Sequence, residues 1–353
     1  MMAHIADYLA SVAFYWPMVS AQDHPAVAPL HEIEVSFNNT IKHVQTETVM
    51  DARMARYAVE MAAVIAMDSE MLRQRPPLSS LICTIAPLAQ DPGGMEAALI
   101  FASAGIPVGF MSMANLGSTA PATLAGTLAC ADAEIVAAMT LLQMAYPGAP
   151  MFYSMMPGVM HPRTGAYLGT CWAIDPAYPA GVELAHSWGV PALGAMFGPD
   201  APLPGWQSAA EVAASLLLDA LCGAEMGSGM GLLASCTLLV PEELVLATDI
   251  YHRVRILAAG VNTDPQALAL DVIREVGPRG HYLGHRHTRQ NLRRLRFSQL
   301  TNPPHGQANS QDPIEIARDQ VKSILENHLP QPLETAQQDE LVRILQAAER
   351  EWG

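Results

Sequence analysis

A chain of 353 residues that is half hydrophobic and 15% charged is too apolar for disorder and long enough to bury one large core. Acidic residues outnumber basic ones 34 to 19, a formal charge of -15 at pH 7, and the one basic run, Arg286 to Arg296, is short. Binding to nucleic acid needs clustered Lys and Arg on phosphates, so no nucleic-acid partner is expected.

In chain order, apolar runs alternate with segments of helical period, the pattern of repeated β/α units on a parallel sheet. Strands are expected at Val12–Ser20, Ile41–Thr48, Ser80–Ala86, Pro107–Met113, Met151–Met155, Pro191–Phe197 and Gly227–Leu232. Their continuous apolar character suits burial on both faces. Helices are expected near 28–37, 51–67, 92–104, 121–146, 174–188, 207–223 and 241–259, several opened by a proline at the first helical turn (Pro92, Pro121, Pro241). Seven units are visible, and an eighth would close a barrel of the triosephosphate isomerase type. The same alternation fits an open doubly wound sheet. The glycine-dense stretch Gly223 to Gly231 fits neither GxGxxG nor the P-loop pattern, so an α/β fold of the TIM-type (β/α)-barrel class, with one unit unaccounted for, is favoured. Residues 1–300 form this expected barrel domain. A further helix opens at Asp264-Pro265, a linker covers 301–311, and two tail helices follow, from Asp312 and from Thr335, packed on the barrel or forming an oligomer interface.

Five scattered cysteines without a CxxC pair read as reduced thiols, and MMAHIADYLASVAFYW lacks the basic leader of a signal peptide. The longest apolar stretch, Pro121 to Tyr146, is broken by Asp132 and Glu134 and reads as a buried helix, so a cytoplasmic protein without a membrane span is expected.

Candidate chemistry is sparse. His281, His285 and His287 lie close in sequence, but no carboxylate or cysteine joins them, so no metal is expected there. No GxSxG elbow is present. Twenty methionines gather partly at strand ends (Met111, Met113, Met155, Met156, Met160), as core filler or as a soft apolar pocket. Tyr15, Trp16, Phe152, Tyr153, Tyr167, Trp172 and Phe197 could offer faces to a quaternary ammonium by cation–π attraction, and Glu47 and Glu225 could balance its charge or close a salt bridge.

Longer segments carry a resemblance. GSTAPATLAGTLACADAEIVAAMTLLQMAYPGAPMFY (Gly117 to Tyr153), LHEIEVSFNNTIKHV (Leu30 to Val44), PEELVLATDI (Pro241 to Ile250), ALALDVIREVGPRGHYL (Ala267 to Leu283), GHRHT (Gly284 to Thr288) and ILENHLPQPLETAQQDELVRILQAAE together resemble the trimethylamine methyltransferase family over nearly the whole chain. The resemblance implies a TIM-type barrel that moves a methyl group from a methylated amine to the Co(I) of a corrinoid carried by a separate protein, with no tightly bound cofactor. Small residues around Gly117, Gly158, Gly198 and Gly227 would admit that corrinoid.

The archetype for trimethylamine carries a pyrrolysine that this sequence lacks, which favours quaternary amines such as glycine betaine. Family members also begin with a further helical segment and a first barrel strand ahead of the point where this chain starts. The loop Gly194 to Gly205, with Ala234 and Val240, departs from the family pattern. Expected catalytic residues are Glu225, facing the ammonium, with His285 and His287 holding a substrate carboxylate or polar tail. Glu47, Asn115, Tyr153 and Phe197 are expected to bind substrate, the last two as cage walls. Expected partners are a small methylated amine, the cognate corrinoid protein and further copies in a homo-oligomer. The second reading is a catalytically lapsed barrel that binds a methylated amine or a partner protein.

Overall fold

The structure, a computed structural model, describes residues 1–295, 297–298, 300–301 and 311–352. Seven strands occupy the expected positions: β1 (Phe14–Tyr15), β2 (His43–Thr46), β3 (Leu78–Ile85), β4 (Val108–Ser112), β5 (Met151–Met155), β6 (Ala192–Met196) and β7 (Met226–Ser228). They lie in one sheet in chain order, each parallel to the next. A doubly wound sheet reverses its strand order at a switch point, whereas strands in chain order wind one way and leave all crossover helices on one face. The sheet also curls until its two edges face each other, because residues of β1 and β7 line one cavity of about 340 Å³. The fold is a TIM-type (β/α)-barrel with a seam: among the described residues no ladder joins β7 to β1.

The helical layer begins with α1 (Met2–Tyr8), ahead of β1. The crossovers are α2 (Ala28–Asn39), α3 (Ala52–Ala66) with the short α4 (Ser69–Gln74), α5 (Pro92–Ala104), α6 (Leu124–Ala145), α7 (Ala177–Ser187) and α8 (Trp206–Cys222), and α9 (Pro241–Ala259) follows β7. Local signals fix their ends. Asp51 accepts from the amides of Arg53 and Met54, Asp91 accepts from Gly94, and Gly105 ends α5 at φ 81°, where a side chain would be strained.

Strand alternation sorts side chains into two layers. Val44, Leu78, Ile82, Phe110, Tyr153 and Met155 point outward and share a core with Ala58, Met61, Phe101, Ile135 and Leu142 of the helices. Leu81, Met111, Phe152 and Leu193 point inward and fill the barrel. The Phe152 ring lies so close over Gly109 that a Cβ there would sit 2.1 Å from it. By length and composition α6 could cross a membrane. Here it packs on β4 and β5, with Glu134 fully buried.

The chain ends in α13 (Pro313–Asn327) and α14 (Thr335–Trp352). Helix α13 packs on α9 and α1, and α14 packs on α2 and α3, so both tail helices lie on the barrel's outer layer. Helices α1 and α13 meet where the seam leaves the outer layer open, through Met2, Ile5, Ala317, Val321 and Ile324.

Some local features depart from expectation. The expected first strand shortens to two residues because it has a partner on one side only and meets Pro17. The last ends at Ser228 because Gly229 and Gly231 both turn at φ 92° into a hairpin that pairs Leu232–Leu233 with Leu238–Leu239. The helix expected from Asp264 breaks into α10 (Pro265–Leu268) and α11 (Leu270–Val276), because Ala269 sits at φ 49°. Helix α12 (Arg286–Leu292) follows, and no residue from 255 to 295 is buried. Of the expected linker, residues 302–310 lie outside the described residues.

Candidate active site

The C-terminal ends of barrel strands converge on a mouth, where loops carry chemistry while the opposite face carries stability. Glu47, the first residue after β2, stands at this mouth on the inward face. Its Oε1 accepts a hydrogen bond from Cys83 Sγ at 3.0 Å, and Cys83 packs against the inward-facing cluster. Burial pushes the Glu47 carboxyl above its usual range, with the Cys83 bond opposing. Among the described residues, no Lys, Arg or His forms an ion pair with it. Two residues deeper on the same face, Gln45 Oε1 is buried without a hydrogen-bond partner. His43 binds Ser79 Oγ and the Pro76 carbonyl, and burial lowers its pKa.

Two loops fold over the mouth. In one, Asn115–Leu116, Gly158–Met160 and Tyr167–Leu168 form a small three-stranded sheet. The Tyr167 ring covers Gly158 so closely that a Cβ there would lie 2.0 Å from it. The Tyr167 hydroxyl and Asn115 Oδ1 are both buried without partners. In the other, Ala234, Ser235 and Cys236 turn through φ 52°, 52° and 68°, three successive non-glycine residues in left-handed backbone. Such geometry costs about 1–2 kcal/mol per residue and persists only where neighbours over-determine it. Asp200 supplies much of that constraint. It accepts from Ser235 Oγ at 2.6 Å and from the amides of Gly169 and Thr170 at 2.9 and 2.8 Å, tying three loops together. The turn presses Cys236 Sγ onto Gly198, 2.8 Å from where a Cβ would sit. Desolvation of that sulfur against the loop, with the charges of Glu47 and Asp200, pushes its thiol up to about 11, although Cys236 as a whole residue is exposed. Burial and Glu47 raise Cys83 further. Both thiols stay protonated at neutral pH and are weak nucleophiles. Glu134, also at this end, accepts from Thr84 Oγ1, Ser112 Oγ and the Leu88 amide at 2.7–2.8 Å, fixing the ends of β3 and β4.

Of the residues singled out from sequence, the structure brings Glu47 and Asn115 to the mouth. Phe197, directly after β6, packs outward against Val212, Leu216 and Val254 and also borders the seam cavity, beside Trp16, Met230 and Tyr251. Tyr153 is not a wall of the mouth. It lies on the outward face of β5 and donates to Asp132 Oδ1 at 3.0 Å. Glu225 sits before β7, at the opposite face of the barrel, where it accepts from the Ala192 amide at 2.7 Å and pairs with His186 at 3.1 Å. Those contacts are a bond between strand starts and a surface pair, and Glu225 also borders the seam cavity together with Phe197. His285 and His287 lie on the exposed segment beyond α9. His285 caps α12 by accepting from the His287 amide and pairs with Glu275 at 3.3 Å. Sequence reasoning passed over Cys83, Asp200 and Cys236, and it counted Tyr167 only among possible aromatic faces.

The fold and the mouth thus define a class: a (β/α)-barrel with a half-buried carboxylate at its C-terminal end, set among protonated thiols, aromatic rings and methionines. More particularly, the chain belongs to the trimethylamine methyltransferase (MTTB) family, whose model matches residues 2–353. It is 31% identical over 340 residues to trimethylamine methyltransferase MttB of Desulfitobacterium hafniense, covering 95% of this chain and 68% of that one. It is 30% identical over 279 residues to glycine betaine methyltransferase of the same species, covering 78% and 58%. A solved structure, the monomethylamine methyltransferase MtmB of Methanosarcina barkeri, aligns with a TM-score of 0.48 at 12% identity, covering 99% of this chain and 67% of that one.

Proposed function

We propose that this chain moves a methyl group from a quaternary methylated amine, such as glycine betaine, to the reduced cobalt of a corrinoid carried by a separate protein. The observation that carries the reading is Glu47, a half-buried carboxylate at the mouth without a cationic partner among the described residues. Burying a carboxylate is costly unless a charge or hydrogen bonds compensate it, and a ligand's ammonium supplies that charge. The apolar lining beneath, with Phe14, Met111 and Met156, suits N-methyl groups. The Tyr167 hydroxyl, buried without a partner at the same end, can donate to a substrate's carboxylate tail.

The reaction needs little covalent help. The N–CH3 bond breaks with its electron pair left on nitrogen, so a tertiary amine departs neutral and no proton moves. When present, the corrinoid supplies the two-electron nucleophile that takes the methyl group. The chain's own contribution is positioning and exclusion of water. Keeping Cys83 and Cys236 protonated also protects the site, because a thiolate beside a methyl donor would compete for the methyl.

The rim suits a docking protein. Ile85 at the end of β3, Leu88, Met113, Trp172 and Leu203 in the loops after β3 to β6, and Trp206 at the start of α8 are all exposed, Trp172 at 96%. Gly158 and Gly198 are covered by Tyr167 and Cys236, whereas Gly117 has only Ala122 within 4 Å, so access is from the Gly117 side.

The test is methylation of cob(I)alamin, followed spectroscopically, by the full chain against a panel of quaternary amines with trimethylamine as control. Turnover with one quaternary amine, at a kcat/KM that falls in Glu47→Ala through weaker binding, supports the reading. A folded protein that methylates cobalt with none of them, even with a corrinoid protein added, overturns it in favour of a binding role.

A further inference from the structure

His24 lies in the loop between β1 and α2, His31 on α2 itself, and Glu349 near the end of α14. One ligand atom from each falls within 4.8 Å of the others. His31 Nε2 is 3.1 Å and His24 Nδ1 is 3.8 Å from the same carboxylate oxygen, Glu349 Oε1. The two imidazole rings stack with centroids 3.9 Å apart and planes 26° apart, so one ring turns about its side-chain bonds for both lone pairs to meet a single ion. From these contacts we infer a divalent transition-metal site, of the zinc class, that fastens the C-terminal helix to the barrel.

The donor set and spacing carry the inference. Bond lengths of about 2.0–2.2 Å around a tetrahedral ion place ligand atoms roughly 3.3–3.6 Å apart, a range that the two distances to Glu349 bracket. Two imidazoles and a carboxylate are a nitrogen-rich set that suits zinc and its neighbours, whereas calcium and magnesium take oxygen. Ligating histidines commonly have a carboxylate on the far ring nitrogen, which sets the tautomer. On His24, Nδ1 is turned to Glu349, and Asp23 Oδ2 stands 3.8 Å from Nε2, on the side from which a small side-chain movement brings it into hydrogen-bond reach. Glu34, three residues after His31 on α2, interacts with it electrostatically and adds negative potential.

Among the described residues no Lys or Arg pairs with Glu349, whose ion partners are the two histidines. His24 is 47% exposed and His31 16%, so the site is held from α2 and open to ions from solvent. A fourth position is left for water. The ion would link residues 318 positions apart and hold α14 against α2.

The experiment uses the full, untagged chain stripped of metal with a chelator. Zinc is titrated calorimetrically, cobalt is followed by its visible d–d absorption, and Tm is read with and without zinc. One ion per chain, a cobalt band of tetrahedral intensity and a zinc-dependent rise in Tm are expected. His31→Ala and Glu349→Gln should each weaken binding at least about 100-fold and abolish the rise in Tm, and Asp23→Asn should weaken it about 10-fold. His281→Ala, elsewhere on the surface, should bind as the wild type does. Circular dichroism keeps a folding defect distinct, and Glu349→Gln removes a ligand while preserving shape. No binding, or binding that survives both His31→Ala and Glu349→Gln in folded protein, overturns the inference.

Discussion

Glu47→Gln separates binding from chemistry, because the charge that Glu47 is proposed to hold disappears during the reaction. An ammonium about 5 Å from the carboxylate, at an effective dielectric near 20, gains roughly 3 kcal/mol, or a factor of about 100 in Kd. As the methyl group leaves, positive charge drains from the nitrogen, so the carboxylate favours bound substrate over the transition state. The expected result is a Kd for the quaternary amine about 100-fold higher with kcat unchanged or raised. Calorimetric titration gives Kd, and single-turnover methylation of excess cob(I)alamin gives the chemical rate. Burial raises the Glu47 pKa, and only the ionised form attracts the cation. Wild-type affinity should therefore rise as pH rises through the raised pKa and then level off, with a proton released on binding below that level. The variant should be flat with pH. An unchanged Kd with a 100-fold loss in kcat would refute this reasoning and make Glu47 a group of the transition state.

Glu243, fully buried in the first turn of α9, has its pKa raised by burial from 4.5 to about 7. The folded state then holds a proton that the unfolded chain gives up, so stability is greatest below pH 4.5 and falls as pH rises to 7. Glu243→Gln should remove that dependence and stabilise the protein at pH 8 by about 3 kcal/mol, read by denaturant melts at pH 5 and 8. Gly158→Ala places a Cβ 2.0 Å from the Tyr167 ring, and displacing the ring should cost about 1–3 kcal/mol and weaken amine binding, seen in Tm and calorimetry. Asp200→Asn weakens the bonds that hold the left-handed turn at Cys236, and the thiol should react faster with an alkylating reagent in the variant. Trypsin should cut first at Arg274, Arg279 or Arg286, since residues 255–295 bury no side chain, and mass spectrometry of early fragments checks this.

Most barrel strands were legible as short apolar runs flanked by proline, glycine or a helix cap; β2 (His43–Thr46) and β7 (Met226–Ser228) are not such runs. The seam's consequences were not, since strand length at an edge depends on the missing neighbour and not on local propensity. In the site, Glu47 was legible as an acid at a strand's C-terminal end. The orientation of Tyr153 was not, because Met151, Tyr153 and Met155 are as apolar as Phe152, and a strand buried on both faces hides which face is inward. Glu225 could have been set aside from sequence: it precedes its strand and so belongs to the face of a barrel that carries stability. Asp200 and Cys236 meet Tyr167 through turns whose geometry depends on long-range bonds, and His24 and His31 need α14 to bring Glu349 to them.

The buried carboxylate also bears on which amine is the better donor. A tertiary amine enters as a cation only by carrying a proton, and a carboxyl with a raised pKa in a poorly solvated site can take that proton. Charge then vanishes from both partners, which low dielectric favours, and the neutral amine is a poor methyl donor. A quaternary amine has no proton to lose, so its positive charge and its leaving group survive whatever the pKa of Glu47. Methylation rates with a quaternary amine should then be insensitive to the protonation of bound substrate. Any activity with trimethylamine should fall as pH rises through the range where the bound amine gives up its proton. Equal rates and equal pH profiles for the two donors would show that Glu47 does not contact the reacting nitrogen.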